Sequence, residues 1–392
     1  MIELADRTVC TGCMACANVC SLNAISVKYD EQGFIYPEVD NALCRLCGKC
    51  VNVCAALQGA SELKEPIGFW AGWTKDKVMQ KKSTSGGLFM SLCRYVFSLD
   101  GVVFGARFDE QLKVFHGVAY NEQQAGSMHG SKYIQSNVAD SYRKAGELLK
   151  EGKTVLFTGT PCQIDGLYKV LNGDHDNLIT CEVLCHGVGS TRYFEDVIAD
   201  LESEYKSKAI NVKFRHKLRG WEDSCFSITF ENGKRFLAPS YYNAFGYPFS
   251  LGHICRESCF SCGYSAPNRV ADITLGDYSA KDKEKYTKAQ KDLGISLILA
   301  STDKGKKVLE GMCDSLVLDP KPIQQVAVSN PALKPRNKDK TVRSEFFSLY
   351  AEKGFHAVKM RYGMPDKKTV FRFKHRRQIA FIYNLLKKLH LK

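Results

Sequence analysis

Two cysteine runs of one spacing, a middle stretch where strands alternate with helices, and a strongly basic end predict a chain of three parts. The first is a small α+β module over residues 1–58, and the second a larger α/β domain with a mixed sheet over residues 66–330. A basic helical tail over residues 331–392 is the third. Gly59 to Pro66 is the polar linker between the first two.

Cys10, Cys13, Cys16 and Cys20 stand at C-x2-C-x2-C-x3-C, and Cys44, Cys47, Cys50 and Cys54 repeat the pattern. The bacterial ferredoxin run has this form: three thiolates hold one [4Fe–4S] cluster and the fourth reaches across to its neighbour. One cluster is expected on Cys10, Cys13, Cys16 and Cys54, the other on Cys44, Cys47, Cys50 and Cys20. Zinc takes paired C-x2-C hooks in a tetrahedral four, which a triple hook fits poorly. Ser21 and Ala55 stand where a proline usually follows the fourth cysteine, a departure that removes no ligand. Residues 24–27 and 34–36 alternate in polarity about a turn at Asp30 to Gly33 and read as two small strands. The first part is therefore ferredoxin-like, and too small to be stable without its clusters.

The 392 residues leave room for two or three domains. With 44% apolar and 25% charged residues the composition is that of a soluble globular protein. Met1 to Val9 carries Glu3 and Asp6 and no apolar run, so no signal peptide is expected, and no apolar stretch is long enough to span a bilayer. Seventeen cysteines then imply metal sites rather than disulfides, in a reducing compartment taken to be the cytoplasm. The net charge of +13 resides in the tail, which has 17 Lys and Arg against 4 Asp and Glu, so it says little about chemistry upstream.

In the middle part, Leu88 to Leu99 has helical periodicity after Ser83-Thr84-Ser85-Gly86-Gly87, and Gly101 to Ala106 reads as a strand. Ala139 to Lys150 reads as a helix, Thr154 to Phe157 as a strand, Ile164 to Leu171 as a helix and Leu178 to Leu184 as a strand. Ile210 to Arg215 and Cys225 to Phe230 are hairpin-like strands, with a turn at Asn232-Gly233.

Three stretches carry candidate chemistry. Ser83 to Gly87 opens a helix with hydroxyls and glycines, which suits either an anion site or an ordinary N-cap. Cys162 stands at a helix start after a buried strand and a glycine turn, with Pro161 at the first helical position. A lowered thiol pKa there suits a nucleophile or a metal ligand, and a buried structural cysteine is the alternative. Cys259 and Cys262 form one C-x2-C hook, which supplies only two ligands. Strand ends on one edge of an α/β sheet converge, so Cys162 and Cys185 are available to complete a third cluster. Cys255 is the rival for one position, and zinc is the alternative metal.

Together these stretches resemble the beta-subunit family of coenzyme F-420-reducing hydrogenase and formate dehydrogenase, which includes a chlorophyll-cycle reductase of plants. The resemblance rests on Ser83 to Gly87, on Gly130-Ser131-Lys132-Tyr133 with Gln135-Ser136, and on Gly159-Thr160-Pro161-Cys162-Gln163-Ile164. Cys185-His186-Gly187-Val188, Arg256 to Cys262 and Asp272 to Asp277 continue it. It implies FAD beside an iron–sulfur cluster, with Ser83, Ser85, Gly86, Gly87, Tyr133, Thr160, Gln163 and Asp277 as cofactor-binding candidates. It also implies Lys132 as a cation near the flavin or substrate and His186 as a proton relay, against the readings of a surface lysine and a packed histidine.

The reaction expected is electron passage between a ferredoxin-type carrier or partner subunit and FAD, on a small molecule. A deazaflavin, a nicotinamide or a sugar-like metabolite of surface polysaccharide synthesis would serve as substrate. The competing reading is a non-catalytic electron-transfer subunit. Ile379, Ile382, Leu385, Leu386 and Leu389 recur at helical spacing beside Arg376, Arg377, Lys387 and Lys388. That pattern suits a peripheral contact with an anionic membrane or a helix docked on protein. No nucleic-acid-binding module surrounds these basic residues.

Overall fold

The computed structural model describes residues 2–279, 281–336, 339–364, 371 and 378. The expected amphipathic helix over the last residues lies outside them. Near the N-terminus β1 (Ile25–Tyr29) and β2 (Ile35–Val39) pair antiparallel. Asp30 Oδ1 closes their turn by accepting the N–H groups of Gln32 and Phe34 at 3.1 and 2.8 Å. Gly33 sits in that turn at φ +81°, where a Cβ would lie 2.4 Å from the Arg192 nitrogen. Only glycine permits this close approach of the first module to the main body.

The main body carries β3 (Gly68–Thr74), β4 (Val102–Phe108), β5 (Val114–Ala119), β6 (Val155–Gly159) and β7 (Leu178–Val183). A separate antiparallel sheet follows, made of β8 (Ala209–His216), β9 (Cys225–Phe230) and β10 (Arg235–Pro239). The chain then returns to the main sheet with β11 (Ile273–Asp277), β12 (Ser296–Ala300) and β13 (Leu316–Pro320). The eight strands are ordered β13-β3-β12-β11-β7-β6-β4-β5. Pairing is parallel across β4, β6, β7 and β11 and antiparallel toward both edges, so the sheet is mixed. All five residues of β12 are buried, as expected of an apolar run covered on both faces. Helix Leu88–Ser98 buries Leu88, Leu92 and Val96. Helix Pro161–Leu171 starts directly after β6, behind Thr160 as N-cap and Pro161 at its first position.

Both flanking parts share the core of this body. Phe34 and Tyr36 pack with Tyr193, Phe194 and Phe346, while Ile35, Met14 and Ala15 pack with Phe104, Phe157 and Ile164. The segment assigned to the tail by its charge begins inside the body. Ala332 and Leu333 are buried, and helix Thr341–Tyr362 buries Arg343, Phe346, Phe347, Tyr350 and Val358. This helix is broken at Gly354 (φ +73°), so the described part of the expected helical tail is a kinked helix. Phe346 meets Tyr193 edge-on at a centroid separation of 5.2 Å. Phe346→Ala should cost about 3–5 kcal/mol of unfolding free energy, measured by chemical denaturation of the full chain. A loss within experimental error would detach the helix from the core.

Candidate functional site

The carboxyl ends of β6, β7 and β11 point to one edge of the sheet, where ligand crevices form in α/β folds. Cys162 follows β6 in the first turn of its helix, and Cys185 follows β7. Cys259 and Cys262 lie in the loop that leads to β11. These four thiols are neighbours. Burial pushes the Cys185 thiol up to about 12, and nearby Cys259 and Cys262 push it the same way. Burial also holds the Cys162 thiol well above its ordinary value, reinforced by Cys185 and Cys262. Cys255 is elsewhere: it is buried among Phe249 and Phe260, with its sulfur 3.7 Å from the Phe249 carbonyl. Among the described residues no three His, Cys, Asp or Glu side chains close around the position of a single metal ion. All four are cysteine sulfurs in the lining of one cavity, the donor type that iron–sulfur clusters take.

Backbone and cations hold this arrangement. Gly187 adopts φ +104°, where a Cβ would lie 2.8 Å from Arg336 Nη1 and 3.2 Å from Cys259 Cβ. Its N–H donates to Cys185 Sγ at 3.3 Å. Arg336 donates to the Cys259 carbonyl at 3.3 Å, and its charge draws the Cys185 and Cys262 thiols downward against burial. No local sequence signal marks Arg336, which falls in the segment that charge assigns to the tail.

The N-terminal cysteines form two further groups. Burial pushes the Cys13 thiol up to about 11, with Cys10 and Cys54 close enough to add to the effect. Cys10, Cys13 and Cys54 act on Cys16 in the same way. Cys44 and Cys47 are the neighbours of Cys50, and Cys47 is exposed. Cys20 Sγ accepts the Ala24 N–H at 3.3 Å. The first group abuts the helix that carries Cys162. A Cβ at Gly166 would lie 3.3 Å from Cys13 Sγ, and the Tyr142 hydroxyl is 3.0 Å from the Cys13 carbonyl and 2.9 Å from the Gln163 carbonyl.

Cys162, Cys185, Cys259 and Cys262 open into a cavity of about 350 Å³, near the lower end of the usual ~300–1,000 Å³ for small-molecule sites. Ser83, Ser85, Gly87, Lys132, Tyr133, Thr160, Gln163, His186 and Asp277 line it. Gly86 does not: its N–H donates to Ser296 Oγ at 2.9 Å, and a Cβ there would lie 2.4 Å from the Gly72 carbonyl. Gly87 caps helix Leu88–Ser98 at φ +93°. Ser85 Oγ donates to the Ile295 carbonyl (2.9 Å) and Ser83 Oγ to the Met79 carbonyl (2.8 Å). Having spent its proton, Ser83 must accept from His129 Nε2, 2.8 Å away. Thr84 Oγ1 accepts the Ser131 N–H at 3.0 Å and ties the two cavity loops together.

Lys132 Nζ lies 3.0, 3.2 and 3.2 Å from the carbonyls of Met128, His129 and Gly130. Burial pushes this ammonium down to about 7, while the three acceptors favour its charged form. Tyr133 stacks on Phe249 at 4.9 Å. Gln163 Oε1 accepts the Thr160 N–H (3.0 Å) and its Nε2 donates to the Ser136 carbonyl (3.1 Å), so its amide braces the wall. Asp277 is paired with Arg215 and also accepts from Trp221 Nε1 at 3.3 Å. His186 is exposed at the lining.

Among the lining residues that sequence reasoning missed are Arg215 and His116, besides Arg336. His116 Nε2 must donate to the Thr158 carbonyl (2.9 Å), which leaves Nδ1 to accept from Ser136 Oγ (2.7 Å). Burial pushes its pKa down to about 4, so it is neutral at physiological pH. A separate hollow of about 430 Å³ beside Thr74, Arg94 and Met312 contains no cysteine, and no chemistry is placed there.

Residues 152–326 match the family model for the C terminus of the coenzyme F420 hydrogenase/dehydrogenase beta subunit, and residues 9–56 match a 4Fe-4S dicluster domain. An uncharacterized protein of Methanocaldococcus jannaschii is 24% identical over 206 residues, 45% of this chain. The chain spans about half of that relative, 56% of its length. A solved chain of the F420-reducing [NiFe] hydrogenase complex from Methanosarcina barkeri is similar with a TM-score of 0.46 and 17% identity, over 78% of this chain and 98% of that one.

If the third group is a cluster site, anaerobically prepared protein should hold about twelve iron atoms per chain, four for each of three cubanes. Cys262→Ala should lower the count by about four and Cys255→Ala should leave it unchanged. About eight irons in both the parent and Cys262→Ala would remove the third cluster.

Proposed function

We propose, for a chain that belongs by its C-terminal domain to the coenzyme F420 hydrogenase/dehydrogenase beta-subunit family and carries a 4Fe-4S dicluster domain ahead of it, the role of an iron–sulfur flavoprotein oxidoreductase. It passes electrons between a ferredoxin-type carrier or partner subunit and FAD, to reduce or oxidise a small substrate. The supporting observation is that Cys162, Cys185, Cys259 and Cys262 share one cavity with the Ser83–Gly87 and Gly130–Tyr133 loops. A bound flavin would supply the exchange between single electrons and hydride-level chemistry that clusters alone lack.

The residues present fit such a group. Gly87 opens an eleven-residue helix onto the cavity, so its N-terminus favours a phosphate. Arg215 Nε is buried with no partner among the described residues, although the guanidinium is paired with Asp277 through Nη1. An acceptor on the bound ligand would satisfy it. Lys132 stands in the lining with three carbonyls that favour its ammonium form, and that charge would favour an anionic, reduced ring. Neutral His116 donates to the Thr158 carbonyl, so it shapes the wall and offers no further proton at neutral pH. His186, exposed at the lining, is the proposed proton relay.

The substrate classes proposed are a deazaflavin, a nicotinamide and a sugar-like metabolite. A cytoplasmic setting with peripheral membrane contact through residues 371–392 belongs to the same proposal; no described helix is long and apolar enough to cross a membrane. The beta-subunit description of the matched family favours one second reading, an electron-transfer subunit of a larger enzyme. Purified chain that contains flavin and oxidises a hydride donor unaided selects the enzyme, and clusters without flavin select the subunit.

A Cβ at Gly87 would lie 2.6 Å from Thr74 Cγ2, on a backbone that side chains other than glycine rarely adopt. Gly87→Val should release at least about nine-tenths of the flavin, equivalent to ~1.4 kcal/mol or more of binding, with iron content unchanged. Flavin at the parent level, measured by acid release and absorbance, would leave the loop as a helix cap alone.

A further inference from the structure

Arg256 is completely buried, yet no carboxylate among the described residues lies within ion-pair distance of it. Its Nε donates to the Cys10 carbonyl at 2.8 Å, and its Nη1 donates to the Ile35 carbonyl at 2.8 Å and to Gln135 Oε1 at 2.9 Å. The guanidinium lies over the Tyr36 ring at 4.1 Å. Its Nη2 is buried with no hydrogen-bond partner among the described residues. Burying a cation without a counter-charge costs several kcal/mol, and carbonyls and a ring face offset only part of that.

A cluster on the nearest cysteine group would supply the missing counter-charge. Arg256 holds the loop Cys10-Thr11-Gly12-Cys13 directly. A Cβ at Gly12 (φ +66°) would lie 2.9 Å from Arg256 Nη1, 2.5 Å from Gln135 Nε2 and 2.8 Å from the Ile35 carbonyl. Gln135 Nε2 donates to the carbonyls of Thr11 and Gly12 at 3.0 and 3.2 Å. A cubane with four thiolate ligands is net anionic and becomes more so on reduction. A fixed buried cation beside it stabilises the reduced form and raises the reduction potential, one of the recognised levers on such clusters. The same residue opens the Arg256–Cys262 stretch, and its carbonyl accepts the Cys259 N–H at 3.1 Å.

We propose that Arg256 is a positioning residue and the electrostatic partner of the cluster on Cys10, Cys13, Cys16 and Cys54. It raises that cluster's potential and fixes it against the segment that carries the third cysteine group. The proposal rests on the reading that those four cysteines hold a cluster.

The test is anaerobic redox titration of the full chain followed by electron paramagnetic resonance, with the signal lost in Cys13→Ala marking the cluster in question. Arg256→Met should shift the midpoint of that signal to more negative potential and leave the signal of the Cys44–Cys50 group in place. Arg256→Lys, which keeps the charge, should recover part of the shift. Gln135→Glu sets a carboxylate beside Nη1 and should lower the same midpoint without removing the arginine. It therefore decides the matter if Arg256→Met fails to fold. Unshifted midpoints in Gln135→Glu and in any folded Arg256→Met would overturn the role of Arg256. Absence of a signal sensitive to Cys13→Ala in the parent protein would instead overturn the cluster assignment.

Discussion

The third cysteine group depends on one buried ion pair. Glu182 and Arg269 are both essentially inaccessible, and the guanidinium Nε bonds the carboxylate directly. Glu182 is in β7, three residues before Cys185, while Arg269 lies seven residues beyond Cys262. Arg269 Nη1 also donates to the carbonyls of Tyr264 and Ala266 at 3.1 and 2.8 Å, and Thr274 Oγ1 donates to Glu182 at 3.0 Å. The pair thus ties the loop bearing Cys259 and Cys262 to the strand that delivers Cys185. Burial alone pushes Glu182 upward, and the adjacent guanidinium opposes it. A pair of this kind adds little net stability over apolar packing, but breaking it strands a charge at a cost of about 3–5 kcal/mol. Its effect here is to fix geometry.

A second tier of buried polar contacts joins the ferredoxin-like module to that loop. Asp165 is fully buried in the helix of Cys162 and accepts from the Tyr264 hydroxyl and from the Ser61 N–H at 3.1 Å. Arg343 donates to the Cys255 carbonyl at 2.8 Å and to Gln32 of the β1–β2 turn. Residues from the linker, the module and the 341–362 helix therefore converge on the same few loops. Division of the chain into three parts by composition describes the order of the chain more than the packing of the protein.

What the sequence made legible followed from local spacing. The paired cysteine runs, the strand–helix alternation and the start of the helix at Pro161 are each written within a dozen residues. The grouping of Cys162 and Cys185 with Cys259 and Cys262 was reachable because parallel strand ends converge by rule. Arg336, Arg215 and His116 were not reachable, since each enters the site through contacts of long sequence separation and stands in no motif. Gly86 illustrates the opposite case. Its motif suggested contact with a ligand, whereas the structure uses the missing side chain to seat the loop on Gly72 and Ser296. Ser83 and Ser85 likewise direct their hydroxyls to backbone carbonyls, which leaves backbone and Thr84 as the polar face of that loop. The charge of the terminal segment misled for a similar reason: Phe346, Phe347 and Tyr350 sit between its basic residues and bury a face that net charge does not report.

Burial of so many cysteines beside so many cations has a consequence for assembly. With protonated thiols, Cys13, Cys162 and Cys185 are neutral and are held neutral by burial, as their raised pKa values state. Arg256 and Arg336 meanwhile donate to the backbone carbonyls of Cys10 and Cys259. Loading a cluster would remove the thiol protons and place negative charge beside these cations. Cluster binding, thiol deprotonation and relief of the buried Arg256 charge would therefore be one coupled event. The coupling would run both ways: the cations would lower the cost of making each thiolate, and a bound cluster would lower the cost of burying Arg256. For a module with two short strands, ligation of its cysteines would then complete the electrostatics of its interface with the main body.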